Sequence, residues 1–540
     1  MKKSLFAIIA GAIFLTSCSS DFLETAPTSS VSEADIFKNV ESALMAVDGL
    51  HRQLHDCSSD WYSQGSYPTF CIHLAALSDD WIFTYNNVMF MDTQQYIHHR
   101  DLTHKYHDPN YYWKAFYKLA NNANKILFYI DDLEGDESLR TFIKGQALAY
   151  RAFAHLQLVQ AWAERYDWTK SSNDQLGVPI RIEASYENLP RASVEEVYTQ
   201  INADLDAAIK LLESTDYVKY NKSHIDQWVA KGFKARVLLN QGKWAEAAKY
   251  AQDIVDNSGA ALQTSTYTDT DKENRFGEAS NKEWLWACIS SRDDQSQFGS
   301  KLRSWHDLVS NNAGSYNSNS PRAINCLLYN TIPDTDVRKA MWLPDPYTAP
   351  VVYINASGKK APYMAQKFLV DDCVTKYEER DVPYMRLPEM MLIAAECYAR
   401  TNETSKAEAL LLKLGQFRDP SYTIANASVA KGEDATLLNK IMWQKRVELW
   451  GEAGIRWIDL KRLNLPCDRG PAPREGYNQG GWKNTAKSAP TNLDPEASNY
   501  NMYGAGLTEE ARVIPAGDKR WQWLLPSQEV DVSGCEQNPL

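Results

Sequence analysis

Residues 225–256 read IDQWVAKGFKARVLLN, then QGK, then WAEAAKYAQDIVD. Two helix-forming runs flank a three-residue turn, Gln241-Gly242-Lys243, so the stretch predicts a tight helical hairpin, Ile225 to Asn240 and Trp244 to Asp256. Gly232 in the first arm and Ala247-Ala248 in the second are small enough for helices to approach closely.

A second hairpin is read far downstream. Pro388 opens a helix running to Arg400, Asn402 to Thr404 turns, and Ser405 with Glu408 is expected to cap the partner helix. Both hairpins resemble loose tetratricopeptide units. Upstream, Ser193 and Glu196 form a capping box. The helix behind it turns Val194, Val197, Tyr198, Ile201, Leu205, Ala208, Ile209 and Leu212 inward. Trp113, Phe116, Tyr117, Ala120, Ala123, Leu127 and Ile130 recur at spacings of three and four, one stripe of a helix from Tyr112. Another helix is predicted over about Ser138 to Ala163. Ser32 to Leu54 reads as the first, with Ala43, Val47, Leu50 and Leu54 on one side. Asp56 to Asn110 lacks a sustained helical period and reads mostly as exposed loop. Gly259 to Val382, rich in Asn, Ser, Pro, Trp and Tyr, reads as an irregular excursion, with EWLWACI at 283–289 as a possible strand. Leu437 to Leu463 returns to helix, and Glu448, Glu452, Arg456 and Asp459 share one side of it if it is continuous through Gly451 and Gly454. Arg469 to Asn501 is loop. The class is mainly α.

The amino terminus sets the compartment. Lys2-Lys3, the apolar run LFAIIAGAIFL at 5–15, and the small residues after it describe a secretory signal; Leu15-Thr16-Ser17-Cys18 resembles a bacterial lipobox, which implies Cys18 acylated as the first mature residue, the alternative being ordinary secretion with a chance Cys at the exit. The run is too short for a permanent span, which takes about 20 residues. Without Lys2 and Lys3 the net charge goes from −12 to −14. An acidic chain with no basic stripe argues against a nucleic-acid partner and against electrostatic adhesion to anionic lipid. The other eight of nine cysteines are scattered, with no CxxC. Cys397 reads as a buried thiol, and Cys57 with Cys71 leaves a bridge open.

Several stretches together resemble the SusD/RagB family of outer-membrane lipoproteins. They are Cys18-Ser-Ser-Asp21-Phe-Leu23-Glu24 with Pro27; Tyr150-Arg151-Ala152 with Gly177-Val178-Pro179-Ile180; and Pro190-Arg191 through Tyr198. Ala230-Lys231-Gly232 through Ala247, Val382-Pro383-Tyr384-Met385-Arg386-Leu387-Pro388-Glu389, and Lys445-Arg446 through Asp459-Leu460 continue the series, which ends at Leu525-Pro526 and Gln537-Asn538-Pro539. The resemblance implies a SusD-like helical scaffold with tetratricopeptide-like pairs and a loop-rich binding side. It implies surface capture of a nutrient, mostly glycan, and partnership with a SusC-type TonB-dependent transporter. The expected layout is a signal peptide at 1–17, a lipidated tether at 18–31 and one domain over 32–540. Its scaffold lies at about 112–258 and 384–463, the insertion at about 259–383 and a loop-rich part at 464–540.

Sugar recognition needs flat rings against C–H faces, with amides reading hydroxyls. Trp is as numerous as Phe here, 17 against 16, and Tyr reaches 29. By the family's habit, the segment after the first helix and the central insertion supply the binding loops. Those segments offer Trp81, Tyr85, Asn86 and Asn87, then Trp305, Asn311, Asn312 and Tyr316, each of which could equally pack under its own loop. A peptide ligand stays open, because the same loops could accept one. Asp79-Asp80 could suggest a glycosidase pair, but adjacent residues point apart and such pairs sit about 5–9.5 Å apart across a bond; helix start or loop hydration is the expected role. His98, His99, His104 and His107 read as a polar loop, with no zinc and no cofactor expected. Glu448, Glu452, Arg456 and Asp459 are expected to form a charge network holding their helix to its neighbours. No phosphate loop, nucleophile elbow or HExxH is present; the resemblance implies a protein that binds without catalysis, with a surface glycosidase as the alternative.

Overall fold

A computed structural model describes residues 33–55, 66–83, 110–263, 276, 278–289, 322–342, 363, 365, 367, 381–468, 477–478, 482–483 and 513–539. Its frame is a run of helices, each packed on the next. After a turn of helix at Glu33–Ile36 come α1 (Val40–His55), α2 (Tyr67–Ala76), α3 (Asn110–Tyr129), α4 (Glu137–Trp162), α5 (Val194–Ser214), α6 (Gln227–Asn240) and α7 (Trp244–Asn257). Then follow α8 (Leu387–Arg400), α9 (Thr404–Arg418), α10 (Leu437–Glu448) and α11 (Ile455–Arg462). Helices α3 to α9 stack in chain order, and α7 lies directly on α8 although residues 258–386 separate them. The two sequence-predicted hairpins are therefore neighbours in one stack.

Local chemistry accounts for these helices. Asp136 caps α4 by accepting from the Leu139 amide at 2.7 Å. The Ser193–Glu196 box is present in both directions, at 2.8 and 3.2 Å. All eight residues predicted to face inward from α5 are buried. On α4, Gly145 lets α5 come close: a Cβ there would sit 2.7 Å from Leu212 Cγ.

The strands are short and paired in twos. Strand β1 (Trp81–Phe83) runs antiparallel to β3 (Arg322–Ile324), and β2 (Trp284–Cys288) to β4 (Val382–Arg386). The expected strand at 283–289 thus exists, and the Val382–Arg386 motif is its partner. Two further ribbons pair β5 (Cys467–Asp468) with β8 (Val513–Ile514), and β6 (Tyr477–Asn478) with β7 (Trp482–Lys483). The carboxy-terminal segment returns to the end of α4, where Trp523 N donates to Ala161 O at 3.0 Å and Asn538 Nδ2 to Trp162 O at 2.6 Å.

Four expectations need correction. Within the supposed loop at 56–110, Tyr67–Ala76 is a helix buried on every side, capped by Ser66. Uniform burial leaves no polar face and so no amphipathic period to read. Ser32–Leu54 is broken between Ile36 and Val40, though its four named apolar residues are buried. Ser405–Glu408 does not cap α9; the helix starts at Thr404 behind Glu403, without a side-chain cap. Leu437–Leu463 is two helices, because Gly451, Ala453 and Gly454 all have positive φ. At Gly454 (φ 64°) a Cβ would lie 2.6 Å from Leu74 Cβ of α2, so the break is also where α2 approaches. Among the thiols, Cys71 is free and buried, and burial pushes it up to about 12; Cys57 lies outside the described residues. Cys397 is buried as expected. Among the described residues no helix is long and apolar enough to cross a membrane.

Candidate functional site

The β1–β3 ribbon organises the candidate site. Its register pairs Trp81 with Ile324, Ile82 with Ala323 and Phe83 with Arg322. The chain leaves β1 at Phe83, two residues before Tyr85, and enters β3 at Arg322, six residues after Tyr316. Because Phe83 and Arg322 are partners, the two segments carrying the sequence-predicted ligand residues depart from the same end of one ribbon. Tyr85, Asn86, Asn87, Trp305, Asn311, Asn312 and Tyr316 themselves lie outside the described residues, as do Cys18 and His98, His99, His104 and His107.

Trp81 is placed differently from expectation. It is fully buried, stacked on Trp450 with centroids 4.8 Å apart and planes 8° apart, and Trp342 meets Trp450 edge-on at 5.5 Å. With one face covered and no exposed surface, it is a foundation for the ribbon and not a platform for a sugar. Asp80 O accepts from Trp450 Nε1 at 3.0 Å and from the Asn325 amide at 3.1 Å, and Asp79 O accepts from Asn325 Nδ2 at 2.9 Å. The ribbon's base is thereby tied to both strands and to the α10–α11 joint.

The carboxylates of Asp79 and Asp80 serve the same joint, in place of the expected helix start or hydrated loop. Arg456 grips Asp79 with two contacts of 2.7 Å, and Arg446 grips Asp80 at 2.5 Å. Burial pushes the Asp79 carboxyl up, but the Arg456 and Arg446 charges outweigh it and hold it well below the usual carboxylate range.

Behind the ribbon lies a buried knot of charge. Glu448 accepts from Arg418 at 2.9 Å, Arg386 at 3.0 Å and Arg338 at 3.2 Å. Arg386 also reaches Glu452 and Glu283, each at 2.7 Å, while Arg418 meets Glu283 at 2.7 Å and Arg338 meets Asp336 at 2.6 Å. Lys367 contacts Glu452 and donates to the carbonyls of Glu448 and Trp450 at 2.8 and 3.1 Å. Among the described residues four cations thus face four carboxylates, and a buried ionic cluster depends on such pairing. Burial raises the Glu448 carboxyl, and Arg418, Arg386 and Arg338 reverse this and hold it low. Burial, helped by the Arg386 charge, draws Lys367 down, to about 8, against the pull of Glu452 and Glu448. A parallel cluster joins α8, α10 and α11: Arg462 bonds Glu396 and Asp459 at 2.7 Å each, and Lys445 bonds Asp459 at 2.9 Å. Glu448, Glu452, Arg456 and Asp459 are thus each ion-paired to neighbouring elements, but in three separate clusters across a bent joint, and not as one network along a continuous helix.

Chemically these groups hold each other. A general acid must keep its proton near neutral pH, whereas guanidinium charge holds Asp79, Glu448 and Glu452 below their ordinary range; Asp80 alone of the aspartate pair is pushed up, by burial and by the Asp79 charge beside it. The recess bordered by Trp81, Arg446, Trp450 and Arg456 is lined by side chains already engaged with one another. Sequence reasoning missed Arg446 and Arg456 as the partners of Asp79 and Asp80. The signal was the pairing of two adjacent acids near Trp81 with two arginines ten positions apart in the Lys445–Leu460 motif.

Residues 21–239 match a SusD-like family described as "Starch-binding associating with outer membrane", and residues 353–539 match the "SusD family". Comparison with curated proteins gives no match. Among solved structures, a SusD superfamily protein from Bacteroides thetaiotaomicron is 21% identical, covering 93% of this chain and 100% of its own, with a TM-score of 0.68. A SusD-like carbohydrate binding protein from Bacteroides vulgatus is 24% identical, covering 88% and 96%, with a TM-score of 0.67. Surface glycan-binding protein A from Bacteroides thetaiotaomicron is 16% identical, covering 93% and 100%, with a TM-score of 0.64. Identities this low carry the fold and nothing finer.

Proposed function

The chain belongs to the SusD/RagB family, and from that premise we propose that it binds a glycan at the cell surface without cleaving it and passes it to a SusC-type TonB-dependent transporter. In this reading Cys18 carries the lipid that holds the protein at the outer membrane. The ligand is met by Tyr85, Asn86 and Asn87 from one segment and by Trp305, Asn311 and Tyr316 from the other. The observation that carries the reading is the shared root of those segments on the β1–β3 ribbon, since a polymer is gripped by rings that converge. The family description and the names of the glycan-binding neighbours supply the ligand class. The engagement of Asp79, Glu448 and Glu452 with arginine, which holds all three carboxyls low, favours a binder over a hydrolase.

Affinity electrophoresis and calorimetry against glycans and oligopeptides test it. The expected result is retarded migration on a glycan whose chain length stays unchanged. Trp305→Ala or Tyr85→Ala should weaken binding about tenfold, or about 1.4 kcal/mol, with the melting temperature unmoved. Heat from oligopeptides alone would make the ligand a peptide, and shortened polymer would make the protein an enzyme. Loss of outer-membrane fractionation in Cys18→Ala is expected if the anchor is assigned correctly.

A further inference from the structure

A cluster of side chains in the core has no part in the proposed glycan binding. His51 and His55 stand one turn apart on α1, and Cys288 ends β2 beside them. One ring nitrogen of each histidine and the Cys288 sulfur all lie within 4.8 Å of one another. Exposure is 6% for His51, 8% for His55 and 2% for Cys288. The two imidazoles are 5.6 Å apart at their centroids and inclined at 62°. His51 Nδ1 lies 3.4 Å from the Tyr150 hydroxyl, while its Nε2 is buried with no hydrogen-bond partner. An orphaned polar atom in a dry core is destabilising, and an apolar side chain in its place would carry no such cost.

We infer that His51, His55 and Cys288 form a buried binding site for a thiophilic transition-metal ion, and that the ion their charge fits is monovalent copper. Two neutral imidazoles and one thiolate carry a single negative charge. Cu⁺ cancels it, whereas a divalent ion would leave one uncompensated charge in the core. Asp48, one turn earlier on α1, does not supply the balance, because its carboxylate is engaged by Tyr220 at 2.5 Å and His224 at 3.1 Å. Three donors of N₂S type also suit Cu⁺, while structural zinc takes four. Metal–ligand bonds of about 2.0–2.3 Å set donors about 3.5 Å apart, so the side chains need close by no more than about 1 Å. On binding, the thiol proton leaves to solvent as the Cu–S bond forms, with no change of oxidation state. Tyr150 holds Nδ1 of His51 and so presents Nε2 to the ion. The Tyr384 side chain lies beside Cys288 and can donate to its thiolate.

The test sets the full chain, under anaerobic conditions, against bicinchoninate as the competing Cu⁺ chelator. One equivalent of Cu⁺ should be withheld from the chelator. His55→Asn and Cys288→Ser should each weaken retention at least about tenfold, while His104→Ala leaves it unchanged. Copper K-edge absorption of the wild-type protein should show two nitrogen neighbours and one sulfur. Complete transfer to the chelator, retention undiminished in Cys288→Ser, or a copper shell without sulfur would each overturn the proposal. Preferential retention of Zn²⁺ at these residues would overturn the choice of ion. Should a variant fail to fold, the absorption spectrum of the wild type decides alone. Neither measurement involves a glycan, so the outcome stands apart from the proposed function.

Discussion

Two regions of this molecule hold together by opposite means. The stack from α3 to α7 is closed mainly by apolar stripes, such as the eight inward residues of α5, with Arg151 of α4 bridging Asp204 of α5 and Asn124 of α3 as a buried polar tie. The joint where α2, α10 and α11 meet the β1–β3 ribbon is closed by buried charge: four carboxylates against four cations around Glu448, with Asp79 and Asp80 locked by Arg456 and Arg446. Apolar contact is nondirectional and tolerates repacking. Ionic contact in a dry interior is stable only when every partner is present. The stack therefore supplies bulk, and the joint fixes where the ribbon points.

Substitutions can separate the two modes. The largest loss is expected for Glu448→Ala, which strands the guanidiniums of Arg338, Arg386 and Arg418 in the core and should cost about 5 kcal/mol by chemical denaturation. If it costs less than Leu205→Ala, the joint is not ionic in its energetics. Leu205→Ala, at a fully buried site in α5, should cost about 4 kcal/mol through lost burial and a cavity. Acid provides the next probe. Burial raises the Glu396 carboxyl, but Arg462, Lys445 and Arg400 outweigh it and hold it at about 2, below its ordinary 4.5. A depressed folded-state value means the stabilisation is complete above pH 4.5 and disappears as pH falls toward 2. The loss is on the order of 3 kcal/mol for this group. Melting temperatures across that window should fall steeply for the wild type and less steeply for Glu396→Gln. Ser193→Ala removes only the cap of α5 and should cost about 1 kcal/mol.

The same contrast explains what could be read from the sequence. Capping residues and apolar periods are local, so α4, α5 and both hairpins were legible within a few residues of their ends. The ribbon was half legible: EWLWACI looked like a strand, but WIF at 81–83 is too short to show alternation. Asp79 and Asp80 looked like surface acids because their partners lie more than 360 positions away. Trp81 looked like a ligand platform for a related reason, since the ring that covers it, Trp450, belongs to the same distant motif. The bend between α10 and α11 escaped because Ala453, at φ 48°, carries a left-handed conformation that its residue type does not announce.

The three-rung pairing of Trp81–Phe83 with Arg322–Ile324 has a consequence for how such a protein changes over time. The stretches at 84–109 and 290–321, which adjoin those rungs on either side of the helical stack, can lengthen, shorten or be exchanged while the rungs, and the tryptophans beneath them, stay put. Diversification can thus proceed at one end of a fixed socket, and a loop transplanted between relatives should need only those three rungs in common.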